Sequence, residues 1–395
     1  MPHMTRTQPW HVPMSGRDPA EAHRASTPLE LLFDLCFVVA VAQAAIVLHH
    51  DLAEAKLVEG IIGYLMVFFA IWWAWMNFTW FASAYDTDDV LYRLLTFVQI
   101  AGVLVIAAGI ARAFENLDYT TVTIGYLVMR VGLVGQWLRA AAEHPEGRAT
   151  ALRYALGVSL LQVGWILRLL LPADLAAAAF VPLVALELSV PLWAERGSGM
   201  TPWHPEHIEE RYGLFTIIVL GEVVLATTTA IQEAISAAGV SLALLVLSLG
   251  AFILIASMWW AYFKHSAVED HDLERRAAFV WGYGHYAVFA SVAAVGAGLQ
   301  VVADRTHEET VIGPMAAVFA VAIPVAIYLL AAWLVSRPGR SARQVVPVLV
   351  GAIAVILAAA LLGGSSPAIA VLVIGLIVAG LVASAVIRKS RGAAE

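Results

Sequence analysis

Apolar residues along this chain fall in blocks of about 20, the length that crosses a hydrocarbon core of roughly 30 Å. Charged residues do not interrupt them every turn or two, as a water-facing helix requires. Twelve blocks can be read, over residues 28–50, 57–82, 90–113, 119–142, 150–171, 174–194, 207–231, 241–264, 275–302, 313–336, 345–363 and 367–388. The pattern predicts an all-α, polytopic membrane protein of about twelve transmembrane helices. Connections are short, so no soluble domain is inserted. The longest internal one, 195–206, holds Gly197, Gly199, Pro202 and Pro205 and reads as a linker. Residues 1–27 are polar and rich in Pro, Arg and His, without an apolar core or small-residue cleavage site. They are expected to form a disordered cytoplasmic tail rather than a signal peptide. Residues 389–395 form a second short tail.

Composition agrees with the blocks. Of 395 residues, 61% are hydrophobic and 13% charged, against about 25% charged in a soluble domain. A net charge of −7 and no basic tract longer than Arg388-Lys389-Ser390-Arg391 argue against a nucleic-acid partner. The lone cysteine, Cys36, sits inside the first apolar block and reads as a small apolar filler. No Cys/His cluster points to a metal, and no phosphate-binding loop, H-E-x-x-H or G-x-S-x-G motif is present. No cofactor is expected. The expected partners are the lipid bilayer and a small solute or ion.

Charge asymmetry sets an orientation. Eighteen of the 23 Lys and Arg residues fall in the tails, in the loops after even-numbered blocks, or on the helix ends beside them. Four lie on the other side, namely Lys56, Arg112, Arg168 and Arg305. The positive-inside rule then predicts both termini in the cytoplasm, as expected for a protein of an inner membrane.

The chain also echoes itself. Pro28-Leu29-Glu30-x-x-Phe33-x-Leu35 is matched 179 residues later by His207-Ile208-Glu209-x-x-Tyr212-x-Leu214. Trp72-Trp73-Ala74-Trp75 is matched 187 residues later by Trp259-Trp260-Ala261-Tyr262. Asp88-x-x-Leu91-x-Arg93 is matched 182 residues later by Asp270-x-x-Leu273-x-Arg275. Three blocks in one order predict two parallel six-helix repeats, 28–194 and 207–388, joined by the linker 195–206. Such repeats occur in several transporter folds.

Two stretches resemble a known family. Thr27-Pro28-Leu29-Glu30-Leu31-Leu32-Phe33-Asp34-Leu35-Cys36-Phe37-Val38 resembles the opening signature of the bacterial low temperature requirement A (LtrA) family, approximately E-L-F-F-D-L-V-F-V. The run from His207 through Glu209-Glu210-Arg211-Tyr212-Gly213 to Leu220-Gly221-Glu222 resembles its second signature, approximately H-x-x-E-R-F-G-L-F-x-I-I-x-L-G-E. The departures are conservative, such as Leu32 for an aromatic and Tyr212 for Phe. The resemblance implies a multi-spanning bacterial membrane protein with a growth phenotype in the cold, and implies no particular substrate, reaction or cofactor.

Charged groups inside apolar blocks are functional candidates, because each costs on the order of 2.5–3.5 kcal/mol on insertion scales. Glu222 lies past the middle of the seventh block, with Gln43 at the equivalent place in the first repeat. It reads as a proton or cation site, or as a protonated carboxyl bonded to a neighbouring helix. His285, Glu187 and Arg130 are further polar groups within blocks, and together with Glu222 and Gln43 they make a candidate intramembrane site. A second set lines the cytoplasmic rim. Glu30 and Asp34 share a helix face at i,i+4 spacing, with Arg93 and Arg275 as candidate partners. His207, Glu209, Glu210 and Arg211 repeat the arrangement, His207 reading either as a titratable gate or as a solvated histidine. The Trp clusters read as core or interfacial belt packing rather than the lining of a cation-attracting cavity. Blocks ten to twelve are almost purely apolar and are expected to be peripheral.

Three function classes follow. The first is a secondary transporter or ion-coupled carrier, which the duplication and the intramembrane carboxylates favour. The second is an intramembrane enzyme acting on a lipid or lipid-linked substrate, with Glu222 and His285 as acid and base. The third is a non-catalytic membrane protein that supports growth in the cold. Of the enzyme and non-enzyme readings, the second is preferred.

Overall fold

A computed structural model describes residues 9–19, 21, 24–115, 118–197, 201–263, 275–307, 310–336 and 346–392. Twelve helices occupy them: α1 (Pro28–Ala53), α2 (Leu57–Tyr85), α3 (Val90–Glu115), α4 (Thr120–Glu143), α5 (Arg148–Arg168), α6 (Ala173–Ala194), α7 (Pro205–Ala238), α8 (Leu242–Phe263), α9 (Arg275–Asp304), α10 (Pro314–Ser336), α11 (Val346–Leu362) and α12 (Pro367–Gly392). There is no strand among the described residues. Eleven helices are long and apolar enough to cross a membrane. The other, α11, has 17 residues, about 25 Å of helix and the short end of what spans. The chain is therefore an all-helical, multi-pass membrane protein.

The apolar blocks locate every helix, and the corrections fall at the ends. The largest concerns α7, which runs to Ala238 rather than stopping near residue 231. Gln232, Glu233 and Ser236 end the apolar pattern without ending the helix. All are tolerable helix residues, and the stop comes instead at Gly239, with φ +76°.

Contacts divide the chain into two units: one of residues 1–40 and 70–212, the other of 41–69 and 213–395. In the first unit α3 and α4 cross closely. A Cβ added at Gly102 would meet the Gly125 carbonyl oxygen at 2.6 Å, and one at Gly125 would meet that of Gly102 at 2.6 Å. Small residues that let helix backbones touch are how membrane helices gain packing without a hydrophobic drive. Beside the crossing, Gln99 donates to Gln136 at 2.9 Å and Gln136 to Thr96 at 3.1 Å. Trp137 of α4 stacks on Tyr154 of α5 at 4.2 Å.

The first unit also holds the amino-terminal segment, correcting the expectation of disorder for most of it. The Val12 amide donates to Asp89 at 2.8 Å, the Met14 amide to Glu143 at 2.6 Å, and the Arg17 amide to the Ala84 carbonyl at 3.0 Å. Arg139 ties Asp89 to the Val12 carbonyl, at 2.9 and 2.7 Å. Met14 is fully buried. Donors without apolar periodicity left no signal in the sequence, yet they dock the segment on the starts and ends of helices, where unpaired backbone and carboxylates gather. Residues 1–8 lie outside the described part.

In the second unit, tyrosine hydroxyls cap carbonyls between helices. Tyr64 donates to Ala290 at 2.7 Å and Tyr286 to Leu65 at 2.8 Å. His49, near the end of α1, lies 2.6 Å from Asp304 at the end of α9. Trp259 and Trp260 are about half exposed on α8, at 48% and 53%, and belong to an outward face. Trp72, Trp73 and Trp75, their sequence counterparts, are buried core in the first unit.

Candidate functional site

The first unit gathers a charge cluster at the start of α1. Thr27-Pro28-Leu29-Glu30 forms a capping box: the Thr27 amide donates to Glu30 Oε2 at 2.8 Å, and the Glu30 amide to Thr27 Oγ1 at 3.3 Å. Pro28 sits at the first helical position, where a missing N–H costs nothing. The box aims Glu30 inward, and the i,i+4 spacing brings Asp34 to the same face. On α7 the same spacing puts His207 and Arg211 together. Arg211 Nη1 is 2.9 Å from Glu30 Oε1, Arg211 Nη2 donates to Asp34 Oδ1 at 2.5 Å, and His207 Nε2 is 3.2 Å from Glu30 Oε1. From α2, Trp75 Nε1 donates to the same Asp34 Oδ1 at 2.7 Å, and Thr79 Oγ1 lies 3.5 Å from Arg211 Nη2. Glu30, Asp34, His207 and Arg211 are all at 0% exposure. Two carboxylates thus face one guanidinium, and Asp34 Oδ2, Glu30 Oε1 and the Tyr92 hydroxyl are buried without a hydrogen-bond partner among the described residues.

A polar collar borders the cluster. Arg24 donates to the Ala82 carbonyl at 2.7 Å and to that of Ser83, satisfying the end of α2. Asp86, in the loop after α2, is pushed up to about 7 by burial first and then by the Glu30 charge, against the pull of Arg24.

Elsewhere in the first unit, Arg130 of α4 and Glu187 of α6 form a second buried pair, 3.6 Å apart. Here the carboxylate is well supplied with donors. Trp73 Nε1 donates to Oε2 at 2.8 Å, Trp165 Nε1 to Oε1 at 3.0 Å, and the Tyr126 hydroxyl reaches Oε1 at 3.5 Å. The guanidinium lies 4.5 Å from the centre of the Tyr126 ring. One charge of each sign is present.

The residues of the anticipated intramembrane site are divided between the two units. Arg130 and Glu187 belong to the first unit, whereas Glu222, Gln43 and His285 belong to the second. Glu222 is 7% exposed and makes no hydrogen bond or ion pair among the described residues, and Gln43 is half-buried. His285 is engaged at both ring nitrogens, at 2.7 Å from the Trp281 carbonyl and 3.0 Å from the Tyr262 hydroxyl.

At the rim, two readings change. His207 is buried rather than solvated. Arg93 is bidentate to Asp88, at 2.8 and 2.9 Å, and the partner of Glu30 and Asp34 is Arg211 instead. A partner five residues away in sequence outcompetes one that needs the helix ends brought together. Glu210 is exposed and accepts from the Ser26 amide at 3.2 Å, while Glu209 is half-buried. The Arg275 side chain, like the repeat residues Asp270 and Leu273, lies outside the described part. Trp75, Tyr92 and Asp86 were not anticipated as members of the site. Of these only the tryptophan motif carried a signal, and it read as packing. Among the described residues no group of three or more His, Cys, Asp or Glu is placed to hold a metal ion.

These observations define a class: a multi-pass helical membrane protein with a buried, charge-unbalanced cluster joining its first and seventh helices. The particular family is then plain, for residues 25–384 match the family described as bacterial low temperature requirement A protein (LtrA), and the chain belongs to it. It is 25% identical over 297 residues to a Rhizobium meliloti (strain 1021) protein described as "Uncharacterized protein RA0937", covering 71% of this chain and 70% of that one. No solved structure matches.

Proposed function

We propose that this LtrA-family protein is an ion-coupled secondary carrier of the bacterial inner membrane, with both termini in the cytoplasm and Glu30, Asp34 and Arg211 as its titratable centre. The observation that supports it is the mismatch of two fully buried carboxylates with one arginine. Buried charge is costly unless paired, and ionisable groups kept inside transmembrane helices mark ion and proton pathways by default. The distribution of Lys and Arg supports the orientation, and the three matched sequence blocks support a duplicated six-helix plan of the kind carriers use. The substrate is a small solute or ion.

A non-catalytic role has one observation in its favour, the charge-matched Arg130–Glu187 pair, which looks built to stay shut. The enzyme reading is weaker, because His285 has both ring nitrogens occupied. The deciding experiment is proton and monovalent-cation flux in proteoliposomes, comparing wild type with Asp34→Asn and Glu222→Gln. Flux lost in Asp34→Asn supports the carrier and its centre. Flux lost only in Glu222→Gln moves the centre to the second unit. Folded wild-type protein that is silent over a wide ion and pH panel removes the ion-coupled reading.

A further inference from the structure

We infer that the ion held by this cluster is a proton, and that its seat is Oδ2 of Asp34. The inference rests on the carrier reading for its purpose, and on geometry for its content. A sodium or potassium ion needs a cage of oxygens. Here the groups turned toward the carboxylates are mostly N–H donors, namely two guanidinium nitrogens of Arg211, the Trp75 indole, His207 Nε2 and the Thr27 amide, with the Thr27 hydroxyl beside them. A metal cation would displace or repel most of them. A proton needs one oxygen.

Three groups compete for that proton. Glu30 Oε2 accepts from the Thr27 amide at 2.8 Å and the Thr27 hydroxyl at 3.0 Å, while Oε1, without a hydrogen-bond partner among the described residues, has Arg211 Nη1 at 2.9 Å and His207 Nε2 at 3.2 Å. Two donors on one oxygen and a guanidinium against the other favour the ionised form. Protonating His207 would set an imidazolium one helical turn from Arg211, on the same face, with its buried Nδ1 lacking an acceptor. Asp34 differs from both. Its two donors, Arg211 Nη2 and Trp75 Nε1, converge on Oδ1, while Oδ2 is buried with no donor among the described residues. Ionised, Asp34 exposes that oxygen to an unmatched interior and gives the cluster a net charge of −1. Protonated, it retains both bonds at Oδ1 and leaves Glu30 and Arg211 as a matched pair. The other groups nearby are the Tyr92 hydroxyl of α3 and, in the collar, Arg24 and Asp86. Release breaks the Oδ2–H bond, leaves its electron pair on the aspartate and passes the proton to water. Arg211 is then shared by two anions.

The test is an infrared titration of the full-length protein in lipid bilayers, following the C=O stretch of protonated carboxyl groups in ordinary and heavy water. One component of the wild-type band should vanish in Asp34→Asn and persist in Asp86→Asn and Glu222→Gln. At fixed pH it should be indifferent to exchange among lithium, sodium and potassium. Should Asp34→Asn fail to fold, Asp86→Asn protein carrying heavy carbon at its aspartate carboxyls replaces it, and a downshifted component is expected there. A band unchanged by Asp34→Asn, no downshifted component, or loss of the component on adding sodium would each overturn the assignment. The component seen without flux would keep the proton site and remove the carrier reading. Flux without the component would do the reverse.

Discussion

Arg130 and Arg211 are both buried among helices of one unit, at 2% and 0% exposure, and they live in different electrostatic company. Arg130 meets one carboxylate, and that carboxylate is also bound by two indole N–H groups. Arg211 meets two carboxylates, and one oxygen of the second has no donor. The first arrangement is matched in charge, with Arg130 Nε its one buried nitrogen lacking a hydrogen-bond partner among the described residues. The second is complete only with one more positive charge. Burial alone therefore does not distinguish the two clusters; the count of charges does.

The comparison can be broken most violently at Arg211. Arg211→Met strands the buried Glu30 anion and takes one of two donors from Asp34, and removing one partner of a buried pair costs about 3–5 kcal/mol. Thermal unfolding in detergent should show the largest loss of the series. Adding Asp34→Asn should recover less than half, because Glu30 is still unpaired. Glu187→Met should cost about 3 kcal/mol by the same argument, but there the double variant Arg130→Met, Glu187→Met should return close to wild type. A matched pair exchanged for apolar side chains is often neutral. Equal recovery in the two clusters would erase the distinction drawn between them.

Asp86 sharpens the comparison by pH. Its folded value of about 7 lies above the ordinary 3.8. Between those values the folded state therefore holds a proton that the unfolded state has released. Stability must fall as pH rises from about 4 to about 7, by on the order of 2–3 kcal/mol, and level off above. Asp86→Asn should flatten that slope in unfolding measured across pH, and an unchanged slope would show that other groups set it. Thr27→Ala makes the smallest change expected, about 1 kcal/mol for a lost cap. Its effect on the infrared component of Asp34 should be nil, since the cap holds Glu30.

Much of the fold was legible because apolar blocks of membrane length have few alternatives. The helix starts at Pro28, Leu57, Val90, Arg275 and Pro367 stand where the apolar pattern or a proline begins them. The rim residues Glu30, Asp34, His207 and Arg211 were also legible, as charges at helical spacing in a place that disfavours charge. Their pairing was not. Arg211 and Asp34 are 177 residues apart, and nothing local prefers Arg211 over Arg93 until α1 and α7 lie side by side. Glu222 drew attention as an isolated carboxylate, and it remains one, but isolation in sequence does not reveal whether neighbours from other helices supply a site. The docking of residues 9–19 was invisible for the opposite reason: its bonds run through backbone amides, which every residue has.

The capping box has a consequence for biosynthesis. At about 5–20 residues per second, the 177 residues between Asp34 and Arg211 take roughly 10–35 s to make. Through that interval α1 waits with two acidic groups and without the arginine that pairs with both. Thr27 already supplies Glu30 with donors from its own helix start, so one of the two has a resting partner from the moment α1 forms. Asp34 has no such partner, and a proton is the one counter-ion always at hand.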